Sequence, residues 1–458
     1  MSKGFLVCLL AVAISGAAGA QTASSTPAAT RTAEHETPAA ERLIATAESP
    51  QLEDLLNEVL ERNPDLASLR AAARASAQRE PQVRSLPDPM AGATAFLWAP
   101  ETRVGPQQGM ISLTQKFPWF GKLELKGRVA LAETAAAQAA VEAKRLDLIT
   151  ETRRLYYELG FLDTYESVVK QDRDTLSHYE ELARARYAAG VGVEQAVVKI
   201  QAEITRDSAR LLDIESRRTT LVATLNALRN RPQSEPLGVT PLPAAARPAL
   251  NLPEIEQSAH ENRPEVAGAD AMIERARLMN ELAKKQFRPD IVLGLSYTAV
   301  GDRTDPAGRL NPPPHNGHDI LGISAGINIP LWRHRLEAGV YESESRQTEA
   351  AEHRQAVVTN IDRSLGDLVS RLPLIAQRLD LFRKVLNVQA REALRSAEAG
   401  YAAGTLKALD LLDAERVLLQ VRTATARAQA DYDIAIAQLE GAVGAPISPA
   451  AAAQGDSK

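Results

Sequence analysis

Three markers occur twice along this chain, in the same order each time. Asn63-Pro64-Asp65-Leu66-Ala67 is echoed by Arg263-Pro264-Glu265-Val266-Ala267, Ile111 to Pro118 by Ile323 to Pro330, and Tyr187-Ala188-Ala189-Gly190 by Tyr401-Ala402-Ala403-Gly404. A repeat of about 210 residues is too long for a solenoid unit and reads as a duplicated half. Residues 51–245 form the first repeat and 250–445 the second, so each structural device is expected twice.

Within each half the hydrophobic period changes. Ile111, Leu113 and Phe117 alternate with Ser112, Thr114 and Lys116. Ile291 to Ala299 and Leu321 to Ile329 alternate in the same way. These runs predict two β-hairpins, about 88–117 and 289–330, with one apolar face and one small or polar face. Strands of about 10 residues with that alternation suit a membrane wall with a wet inner side. A soluble sandwich alternates likewise, but Trp98, Phe117, Trp119, Phe120 and Trp332 sit at the strand ends, where a membrane-interface girdle belongs. Four strands cannot close a barrel, since the smallest need about 8. Open edges are not tolerated in hydrocarbon. A dimer would supply eight strands and a trimer twelve.

The rest of each half is helical. Val141, Leu148, Leu155, Leu162, Val169, Leu176 and Ala183 fall at strict sevens, as do Ala351, Val358, Leu365, Leu372, Leu379, Leu386 and Ala393. Sustained sevens predict left-handed supercoiled packing. Residues 121–187 and 335–401 would each reach about 100 Å. The returning helices 193–230 and 405–443 are shorter, about 57 Å. Together they give helical hairpins over 121–230 and 335–443. Helices 52–80, stopped by Pro81, and 254–286 would stack on the returning ones. In the returning helix of the first half, Asp207 and Arg218 interrupt the apolar rows. Pro373 is expected to kink the second rod only.

Residues 1–20 read as a secretory signal: Lys3, an apolar stretch from Phe5 to Ile14, then Ala18-Gly19-Ala20. The single cysteine, Cys8, lies inside it, leaving no disulfide or thiolate chemistry in the exported chain. Residues 21–50 read as a flexible leader and 447–458 as a tail. A net charge of −5 provides no basic footprint for nucleic acid. No metalloprotease helix, phosphate loop or nucleophile elbow is present, so neither an enzyme nor a cofactor is implied.

The duplication, the Tyr-x-x-Gly turns, and the junctions Phe117-Pro118-Trp119-Phe120-Gly121-Lys122 and Ile329-Pro330-Leu331-Trp332 together resemble the TolC family of outer-membrane efflux channels. The segment from Tyr401 to Thr405, followed by Leu409 to Ala414, carries the resemblance most specifically. It implies an α+β membrane protein with four transmembrane strands per chain in a shared twelve-stranded trimeric barrel. Long coiled-coil helices would form a periplasmic α-barrel below it. The implied partners are two further copies of the chain, outer-membrane lipid, a periplasmic adaptor and an inner-membrane pump of RND or ABC type. The turns at Tyr187, Gly190 and Val191 and at Tyr401, Gly404 and Thr405 match adaptor-docking positions; otherwise they are simply tight turns between helices. Asp410 and Asp413, with Tyr401, match the periplasmic gate; the alternative is solvated helix charge, with Lys407 pairing to Asp410. Ala196 and Leu406 depart from the family pattern there. The aromatic junction is similar to the heavy-metal, CzcC/CusC-like branch. His315 and His318, in the loop of the second hairpin, are weak metal candidates. A polypeptide-secretion duct and a soluble periplasmic coiled-coil scaffold are the alternatives.

Overall fold

The computed structural model describes residues 39–45, 50–243, 247–303 and 305–447. The signal segment and the tail beyond residue 447 lie outside them. Four helices lead in: α1 (Ala39–Ala45), α2 (Pro50–Arg62), α3 (Pro64–Ala77) and α4 (Arg79–Arg84). The sheet begins with β1 (Met90–Ala95), β2 (Glu101–Thr102) and β3 (Gly105–Phe117). Next come the 67-residue α5 (Lys122–Ala188), α6 (Glu194–Leu228), α7 (Leu252–Asn262) and α8 (Pro264–Lys285). The second hairpin is β4 (Ile291–Val300) and β5 (Ile320–Ile327), with the short α9 (Pro306–Leu310) between its strands. The second rod comprises α10 (Arg333–Asp380), a π turn (Leu381–Leu386) and α11 (Asn387–Ala402), and α12 (Ala408–Val443) returns from it.

Several expectations need correction. Residues 21–50 read as a flexible leader, yet α1 forms within them and buries Leu43. Pro81 does not stop the first helical stretch. It sits in the first turn of α4, where its missing N–H costs no intrahelical bond. That stretch and residues 254–286 are instead divided before Pro64 and Pro264, because proline pushes the preceding residue out of helical geometry. In the hairpin expected over about 88–117, the first strand is only six residues long.

The strands pair antiparallel in the order β1-β3-β4-β5, with β2 folded back onto β3. The register sorts the two faces. Ile111 lies opposite Tyr297 and Tyr297 opposite Leu321; Leu113, Leu295 and Ile323 form the next row. All six side chains are exposed. The intervening rows are small or polar: Gly92, Ser112, Ser296 and Gly322, then Thr114, Gly294 and Ser324. Within one chain β1 and β5 each leave an edge unpaired.

All seven residues of the first row in sevens are buried along α5. In the second rod only Leu365, Leu372 and Leu379 of the row are. Beyond the π turn burial moves to Leu394 and Tyr401, one place past Ala393 and Gly400 where the sevens fall. A π turn holds one extra residue, and that residue rotates the buried stripe. Pro373 itself lies inside a continuous α10, so the departure from α geometry falls after it and not at it. No helix among the described residues is long and apolar enough to cross a membrane.

Candidate functional site: the paired helix turns

The two Tyr-Ala-Ala-Gly segments end α5 and α11 with the same geometry. Gly190 and Gly404 both take φ +76°, a left-handed conformation that glycine adopts without a Cβ penalty. Val191 N–H donates to the Arg186 carbonyl at 3.1 Å and Gly190 N–H to Tyr187 at 2.9 Å. In the second turn Thr405 N–H donates to Gly400 at 2.9 Å and Gly404 N–H to Tyr401 at 3.1 Å. These are Schellman closures, which satisfy the helix-end carbonyls.

The fold brings the two turns side by side. Arg186, one residue before Tyr187, lies 4.4 Å above the Tyr401 ring and donates to the Ala402 carbonyl at 3.1 Å. Sequence reasoning passed over Arg186; its one signal is that Gly400 precedes the second tyrosine instead. Between the turns is a cleft of about 740 Å³ lined by Arg186, Val193, Ala196, Tyr401, Leu406 and Lys407. The matching tyrosines are not equivalent, since Tyr401 is 6% exposed and Tyr187 48%. Val191, at 77%, and Val193 present apolar surface beside Tyr187.

Asp410 and Asp413 are both exposed on the first turns of α12. The Asp410 carboxylate accepts the Lys407 backbone N–H at 3.0 Å, so it caps the helix in place of pairing with the lysine ammonium. Asp413 pairs with Arg416 at 3.2 Å. Arg416 also bonds Glu203 of α6, as does Arg206. Burial pushes the Glu203 pKa up, but these two guanidinium groups outweigh it and hold the carboxyl below its ordinary value. Leu406 leans over Gly400, and Ala196 is buried.

Three acids lie deeper between the hairpins: Asp172 of α5, Asp207 of α6 and Glu415 of α12. Burial, followed by contact with Asp207 and Glu415, pushes the Asp172 carboxyl up to about 10. Burial also raises Glu415. The sequence signal for this cluster was the interruption of the α6 apolar row at Asp207.

The aromatic residues at the strand ends behave differently from one another, and Trp98 lies at the end of the sheet far from α5. Trp98, Phe120 and Trp332 are exposed, while Phe117 and Trp119 are half-buried. Trp119 donates its backbone N–H to Asp290 at 3.0 Å, and Asp290 pairs with buried Lys122 at 2.8 Å and with Lys116 at 3.1 Å. The His315 and His318 rings stand 5.2 Å apart. Among the described residues no group of three or more His, Cys, Asp or Glu could hold a metal.

The profile of the family described as "Outer membrane efflux protein" matches residues 55–231 and again 255–445. The chain is 25% identical over 232 residues to Toxin and drug export protein A of Aggregatibacter actinomycetemcomitans, a match covering 49% of each protein. The chain thus spans about half the length of that relative. Outer membrane protein TolC of Vibrio cholerae is 22% identical over 411 residues, covering 86% of this chain and 90% of TolC. Among solved structures, outer membrane protein VceC of Vibrio cholerae superposes with a TM-score of 0.70 at 23% identity, covering 87% of this chain and 97% of VceC. With the family profile matched over both segments, this chain belongs to the outer membrane efflux proteins.

Proposed function

We propose that this chain is the channel subunit of an export system, in which three copies complete one barrel in the outer membrane and continue as a helical tunnel in the periplasm. The observation that carries this reading is the sheet: an apolar outer face, a small or polar inner face, and two unpaired edges. In hydrocarbon each unsatisfied backbone group costs several kcal/mol, so β1 of one copy must pair with β5 of the next. The twofold match of the family profile supports the reading of residues 51–245 and 250–445 as two versions of one half.

The paired turns are the docking end for a periplasmic adaptor. Exposed Tyr187, Val191 and Val193 supply an apolar tip, and the cleft between the turns has room for a small helical hairpin's side chains. Asp410 and Asp413 line the mouth as rings in the trimer, and Tyr401, held by Arg186, ties the second hairpin to the first. Drug-like and toxin cargo follows by analogy with the named relative.

The test is the oligomeric state of the membrane fraction. Full-length protein extracted in detergent is expected to have about three times the 49.4 kDa chain mass by light scattering. A water-soluble monomer would contradict the reading and favour a periplasmic scaffold.

A further inference from the structure

We propose that Asp172 and Glu415, packed against Asp207, form a shared-proton latch that holds α12 against the α5–α6 hairpin and releases it as the pH rises. The three carboxyls come from three helices, yet meet where the two hairpins join. They are 5%, 0% and 4% exposed respectively. Each keeps one oxygen that no hydrogen-bond donor reaches: Oδ1 of Asp172, Oδ2 of Asp207 and Oε2 of Glu415.

Positive charge around the cluster is insufficient to hold Asp172 and Glu415 ionised beside Asp207. From α6, Arg210 bonds the other oxygen of Asp207 at 2.5 Å. On α12, Arg422 attracts Glu415. Arg206 and Arg416 are occupied by Glu203. From α11, Glu398 adds a further acid and takes the Tyr179 hydroxyl proton of α5 as its donor at 2.5 Å. Among the described residues no basic side chain pairs with Asp172. Like charges crowded in a dry site cannot all ionise, so protons shared between facing oxygens satisfy the groups instead. The donor set does not suit a metal, because no group of three or more acids among the described residues is arranged to hold one.

The sign of the pH dependence follows. A carboxyl that holds its proton more tightly in the docked state stabilises docking fully below the ordinary carboxylate range. That stabilisation is lost as pH rises towards the docked-state value. Loss of protons leaves mutually repelling charges between α12 and the first hairpin. Alkaline conditions would therefore loosen the same end that bears the turns. This consequence for a gate rests on the channel reading; the latch itself does not.

The experiment uses full-length purified protein. Infrared difference spectra at pH 7 are expected to show the C=O band of a protonated carboxyl that weakens in Asp172→Asn and in Glu415→Gln. Hydrogen exchange of residues 408–418, corrected for intrinsic base catalysis, should rise with pH in the native protein by up to about tenfold per pH unit for each proton released. Asp172→Asn, a mimic of the protonated form, should flatten that rise. Absence of a protonated carboxyl at pH 7, or the same exchange slope in native protein and both variants, overturns the proposal. Should one variant misfold, the other and the native spectrum still decide it. Neither readout needs a barrel or an adaptor, so failure of the latch is distinguishable from failure of the channel reading.

Discussion

Asp290 shows how one side chain can join two parts of the fold. It sits just before β4, is 7% exposed, and collects Lys122, Lys116 and the Trp119 N–H. Burial opposes its ionisation, but the two ammonium groups and the N–H prevail and hold its pKa at about 2. The group is depressed below its ordinary 3.8, so its stabilising effect is present above that value and lost as pH falls towards 2. Asp290→Asn keeps an acceptor for Trp119 but removes the counter-ion of the Lys122 ammonium, which is 4% exposed and retains only neutral partners such as the Arg288 carbonyl. We expect the variant to lose roughly 3–5 kcal/mol in urea unfolding at pH 7. Pairing it with Lys122→Met should recover much of that loss. At this scale little was legible beforehand: Lys122 appears in the sequence only as part of the junction, and its partner is far along the chain. The six apolar residues facing outward from the sheet were legible, because alternation is a local property.

Elements were more readable than residues. The rows in sevens located both rods, and the Tyr-x-x-Gly segments located their ends. What was missed is the π turn, since one inserted residue does not change composition or periodicity enough to see. Its effect is large: it is what places Leu394 and Tyr401 in the core. The glycines at the turns permit a clean element-scale test. A Cβ at Gly190 or Gly404 would meet nothing within 4 Å, so only the left-handed backbone resists substitution. Gly404→Ala should cost about 1–2 kcal/mol locally and be tolerated in assembly. Gly190→Pro with Gly404→Pro cannot adopt positive φ at all. That pair should leave the oligomer intact while abolishing crosslinking to the adaptor; native-level crosslinking would remove the docking role from these turns.

At the scale of the whole molecule, the acids near the turns separate local from collective roles. Asp410 caps α12, and Asp413 pairs with Arg416, so each has a use within one chain. If three copies surround one mouth, the same carboxylates also make a ring that favours cations. Asp410→Asn with Asp413→Asn retains the cap acceptor and removes the charge. Cation preference in planar bilayers should fall, seen as a reversal potential closer to zero, and an unchanged potential would limit both residues to their local bonds.

By itself the sequence determined the alternating strands, the long helices with their apolar rows in sevens, and the glycine-ended turns. Each follows from periodicity or backbone geometry, which act between near neighbours. Only the tertiary structure decided that Arg186 covers Tyr401, that Asp290 neutralises Lys122, and that Asp172, Asp207 and Glu415 meet in a dry seam. Those are contacts between distant segments, and whether a charge there is solvated, paired or protonated depends on which helices pack around it.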